Sequence, residues 1–157
     1  MINITLSLHL DNTEDATFAR GPHTFTLEAG DPRASPGESL TFRATKSIHR
    51  GHSRVFRGLL SGGEYHNVKV VCKLATMTEK TRRRFQREAE VYQTKLRDMQ
   101  GYYIPRFYGL YTGSILGEPT VCLVLEDCGT SLANIADLSM EWRYVLSLRK
   151  YGLLLTT

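Results

Sequence analysis

Apolar and polar residues alternate from Ile2 to Leu10 and again from Thr24 to Leu27, a period of two that predicts short strands with one buried face. The polar stretch between them contains Asp11-Asn12 and Gly21-Pro22 and reads as turn. From Ala29 to Gly37 the chain gathers two prolines and two glycines in nine residues, which predicts a linker or exposed loop and a boundary near residue 37. Beyond it, three further strands are expected at Ser39 to Ser47, Ser53 to Leu60 and Asn67 to Leu74. The last two are joined across Ser61-Gly62-Gly63-Glu64 as a hairpin, so neighbouring strands should run antiparallel.

The period then changes. Phe85, Ala89, Tyr92, Leu96 and Met99 recur at spacings of three and four, predicting an amphipathic helix from Glu79 to Met99, with Thr76 and Glu79 as a capping box at its start. Two more strands follow at Ile104 to Tyr111 and Pro119 to Leu125. The second is almost continuously apolar and is expected to be buried on both faces.

Composition narrows the class. A hydrophobic content of 41% can furnish a real core, and the formal charge of +4 is a mild excess of 20 basic over 16 acidic residues. Charge alone therefore gives no case for nucleic acid. The basic run Lys80-Thr81-Arg82-Arg83-Arg84, with Tyr102, Tyr103, Phe107 and Tyr108 as aromatics, could in principle hold a single strand. Its continuation into Gln86-Arg87-Glu88 reads better as a solvated helix face, so nucleic acid is not the expected partner. Cys72, Cys122 and Cys128 are odd in number and sit in or beside apolar runs, which suits small buried hydrophobes in a reducing compartment rather than a disulfide or zinc framework. No signal peptide or membrane-spanning run is evident. The expected location is intracellular, in cytoplasm or nucleus.

One charge stands in an unusual place. At 100° per residue Glu88 projects into the stripe of Phe85, Tyr92 and Leu96, whereas Glu90 points away. A carboxylate turned toward a sheet needs a cation or a wet cleft, and Lys73, at the end of the strand Val70-Val71-Cys72, needs a partner in turn. The two are expected to pair.

Around these residues the sequence resembles the small, nucleotide-binding lobe of a protein kinase. Val70-Val71-Cys72-Lys73 is similar to the family's V-A-I-K strand, Phe85-x-x-Glu88-Ala89 to its helix with the paired glutamate, and Val121 to Gly129 to its fifth strand and hinge. The resemblance implies an α+β fold, a five-stranded antiparallel sheet with one long helix, preceded by a short β-rich extension. It divides the chain into residues 1–36 as extension and linker, 37–132 as small lobe, and 133–157 as the start of a large lobe, truncated. By the same resemblance, ATP would be held by Lys73 and Glu88, with Val55 and Gly51 from the glycine-rich loop, Leu125 as gatekeeper, and Glu126 and Cys128 as hinge. In that loop Ser53, Arg50 and Ile48 stand where the family has glycines. The H-R-D and D-F-G motifs do not occur, so neither magnesium binding nor phosphoryl transfer is expected of the chain alone. The functional expectation is an inactive ATP-binding lobe, or alternatively a pseudokinase module that takes a protein partner where the large lobe would dock.

Overall fold

The structure is a computed structural model that describes residues 4–10, 22–29, 38–50 and 53–129. The chain divides into two compact units, Met1–Asp127 and Cys128–Thr157. Only Cys128 and Gly129 of the second are described.

Among the described residues the first unit has seven strands and one α-helix: β1 (Thr5–His9), β2 (His23–Ala29), β3 (Ser39–Arg50), β4 (Arg54–Gly62), β5 (Tyr65–Thr76), α1 (Glu79–Gln93), β6 (Phe107–Ile115) and β7 (Glu118–Glu126). The strands close into a barrel in the order β1-β2-β6-β7-β5-β4-β3. Six of the seven junctions are antiparallel; the seventh, β1 to β3, is parallel and runs from Thr5 opposite Ser39 to His9 opposite Arg43. Closure leaves no strand edge unpaired among the described residues, which removes there the usual template for edge-to-edge association.

Strand alternation fills the interior. Ile4, Leu6, Leu8 and Leu10 point inward beside Phe25, Leu40, Phe42, Phe56, Val70, Cys72, Tyr111, Cys122 and Val124, forming one continuous buried cluster. The intervening residues of β5, β6 and β7 point outward. There Ala75, Leu110, Val121 and Leu123 form a second cluster with Phe85 and Ala89 of α1, which lies against the outside of the barrel. Residues Val121 to Val124 are accordingly buried on both faces, two under the helix and two in the barrel. Where interior space is shortest, glycine is required: a Cβ on Gly58 would stand 2.3 Å from the Arg43 carbonyl oxygen and 2.7 Å from the Phe42 ring.

This architecture overturns the expected fold class. The sheet is not an open five-stranded antiparallel one but a closed, mixed barrel of seven strands. The two amino-terminal strands, assigned to an extension, are the closing staves: β1 bonds to β2 and β3, and β2 bonds to β6, placing Phe25 opposite Gly113. The likeness to a protein kinase small lobe therefore fails as a statement of fold. With it goes the ground for describing the chain as protein kinase-like, a pseudokinase, a transferase or an ATP-binding family member, and for expecting a docking face for a missing lobe.

Local boundaries also differ. The helix ends at Gln93 rather than Met99, because Thr94 closes it: its N–H and its hydroxyl both donate to the Glu90 carbonyl, at 2.9 and 2.7 Å. Leu96 and Met99 keep the helical spacing only across a single 3-10 turn, Arg97–Met99. At the other end the cap is Thr78, whose hydroxyl accepts from the Thr81 N–H at 3.2 Å, and not Thr76, which still belongs to β5. The sixth strand starts at Phe107, not Ile104, because residues 100–106 form a loop that turns at Gly101 with a φ of +78°.

Inside the barrel the Cys72 and Cys122 sulfurs lie 3.0 Å apart as free thiols. Burial, with a smaller contribution from the Cys72 thiol, pushes Cys122 well above the ordinary thiol range. A thiol held protonated in the folded state stabilises it below the unfolded thiol pKa of about 8.5, and that contribution is lost as pH rises beyond it. Titration with a water-soluble thiol reagent at neutral pH should therefore detect the exposed Cys128 alone before urea is added, and all three cysteines afterwards. Rapid modification of three thiols in the native protein would contradict the buried pair.

Candidate functional site

The outward residues of β4, β5 and β7 lie in register, so direct partners share a face. Val55, Lys73 and Leu123 form one row across these strands, and Arg57, Val71 and Leu125 form the next. Leu123 is covered by the α1 cluster, while Val55, Val71 and Leu125 remain half-buried. The result is an apolar shelf on the barrel wall beside the helix.

Each row of the shelf carries an ion pair. Lys73 donates from Nζ to Glu88 Oε2 at 2.8 Å, bringing together a β5 lysine and an α1 glutamate fifteen residues apart. The lysine ammonium also stands 5.0 Å from the centroid of the Phe85 ring, whose quadrupole favours a cation there. Both charged side chains keep contact with solvent, at 26% and 31% relative exposure, so the pair contributes about 0–1 kcal/mol to stability. Its exposure leaves the lysine able to exchange its partner for a ligand. On the other row Arg57 Nε stands 2.7 Å from Asp127 Oδ2, with the carboxylate nearly buried. The sequence carries a faint signal for this second pair: Arg57 alternates with Val55 along β4, and Asp127 immediately follows β7.

The remaining residues expected at the site are distributed differently. Val55 and Leu125 share the shelf with Lys73. Glu126 ends β7 opposite Val70; its N–H donates to the Arg106 carbonyl, and its carboxylate accepts from the Arg106 N–H at 3.0 Å. Its backbone is thus engaged on both sides rather than presented as an open edge. Cys128 is exposed and belongs to the second unit. Gly51 lies outside the described residues.

The aromatics expected beside the basic run separate in the same way. Tyr102 and Tyr103 are exposed, whereas Phe107 and Tyr108 are buried and unavailable for stacking on bases. The basic run itself lies on the solvent side of α1, with Arg83 paired to Glu79 at 2.8 Å. Among the described residues no three metal-ligating side chains gather into a site, and no helix is long and apolar enough to cross a membrane. No protein-family model matches the chain, and a search of curated proteins returns no match.

Proposed function

We propose that this chain is a binding module, and that the outer face of β4, β5 and β7 takes a phosphate-bearing ligand with a planar apolar portion. The observation that carries the reading is the Lys73–Glu88 pair at 2.8 Å, partly exposed, with Lys73 between Val55 and Leu123 on the shelf. Val55, Val71 and Leu125 offer side-chain methyl groups to a ring, and Lys73 offers a cation held in place by Glu88 and Phe85. Preorganised in this way, the ammonium need not be ordered when an anion arrives, which lowers the cost of binding.

ATP is the ligand to test first, for binding without phosphoryl transfer. Calorimetric titration should give saturable binding, and Lys73→Ala should weaken it about tenfold or more, the value of one charge-assisted hydrogen bond. Glu88→Gln should weaken it less, since it loosens the lysine without removing it. Equal affinity in wild type and Lys73→Ala would overturn the site, and magnesium-dependent turnover by the purified protein would overturn the reading of binding alone.

A further inference from the structure

A second concavity of about 670 Å³ opens where the β4–β5 turn approaches the loop between α1 and β6. Its size lies within the range of small-ligand pockets. The lining is unusual in its charge: two arginines, Arg97 and Arg106, and two glutamates, Glu64 and Glu126. Among the described residues the guanidinium groups of Arg97 and Arg106 and the carboxylate of Glu64 have no charged partner. Tyr65 and Tyr108, edge to face with centroids 5.3 Å apart, supply an aromatic wall.

Part of the lining is also fixed in position. Gln100 donates from Nε2 to the Tyr92 carbonyl at 2.7 Å and accepts at Oε1 from the Phe107 N–H at 2.9 Å, so it ties the loop to both flanking elements. The Arg106 side chain lies against Gly101, where a Cβ would come within 2.5 Å of Nε. Gly101 thus provides, through its missing side chain, the seat on which Arg106 rests.

We infer that this cavity binds a zwitterion with an aromatic side chain, either a free amino acid or a short peptide with both ends uncapped. Charge balance selects the class. A polyanion would meet the arginines but face Glu64 and Glu126 uncompensated, and a cation would do the reverse. An α-carboxylate matches the planar fork of an arginine, an α-ammonium matches a free carboxylate, and the ring of the ligand packs on Tyr65, which the buried Tyr108 backs edge to face. This site is separate from the β4, β5 and β7 shelf and does not depend on the ligand assigned to it.

The test uses the dipeptide Ala-Phe and free phenylalanine, followed by NMR of the full chain. Saturable shifts that include Tyr65 and Tyr108 are expected, and the tighter of the two probes decides between peptide and amino acid. N-acetylation and C-amidation of that probe should each weaken binding about tenfold. Arg106→Gln should abolish the penalty of amidation, Glu64→Gln should abolish the penalty of acetylation, and both variants should melt as the wild type does. Lys73→Ala should leave all of this unchanged, so failure at one site is distinguishable from failure at the other. Absence of saturation at about 10 mM, equal binding of capped and uncapped probes, or penalties that survive both substitutions would overturn the inference.

Discussion

Replacing Leu6 and Leu8 together with alanine is expected to unfold the barrel at room temperature. Both side chains are fully buried, and they lie on the inner face of a strand that bonds to β2 on one side and β3 on the other. A buried leucine cut to alanine costs about 2–5 kcal/mol, so the pair removes about 4–10 kcal/mol, less or more as neighbouring cavities merge. A domain of this size has about 5–15 kcal/mol in total. Ser7→Ala, between them on the outward face, should shift stability by no more than about 0.5 kcal/mol and serves as the control. Urea denaturation followed by circular dichroism separates the outcomes. If β1 were an appendage on an independently stable open sheet, the double variant would keep the wild-type midpoint, and the closed barrel would be wrong.

Phe85→Ala should have the next largest effect, and on function as well as stability. Phe85 is the fully buried anchor of α1 against Leu110, Val121 and Leu123, and its removal is expected to cost about 3–5 kcal/mol. A helix of fifteen residues is marginal without its tertiary contacts, so local fraying of α1 should precede global unfolding. Glu88 rides on that helix, and Lys73 Nζ rests over the ring itself. The variant should therefore lose helical ellipticity at urea concentrations where the barrel persists, together with ligand affinity at the Lys73 face. Retention of both would show that α1 is held by something other than Phe85.

Leu6, Leu8 and Phe85 also mark how far the sequence could be read. Phe85 declares itself by helical spacing with Ala89 and Tyr92, and Glu88 by falling in the same stripe, so the contact with Lys73 was expected from the chain alone. Leu6 and Leu8 declare a strand with one buried face, but alternation does not name the strand across from it. Partners joined by a short turn, such as β4 and β5 around Gly62 and Gly63, are local and legible. The pairing of Phe25 with Gly113 is not, because nothing within either segment points to the other. The open sheet followed from counting only the local pairs. The second cavity was hidden for the same reason: Glu64 and Arg106 come to line one cavity only after β5, β7 and β6 are aligned. At the helix end, apolar spacing through Leu96 and Met99 outweighed a threonine whose capping bonds depend on geometry.

The β2 to β6 junction also sets an order of events during synthesis. A ribosome releases β1 and β2 first, yet β2 finds its second neighbour only when Phe107–Ile115 has emerged. Until then the growing chain carries bare strand edges and an uncovered Phe25, the features through which nascent chains find one another. Slow elongation through the helix would prolong that exposed interval. Yield of native protein should thus depend on how quickly the second half of the barrel follows the first.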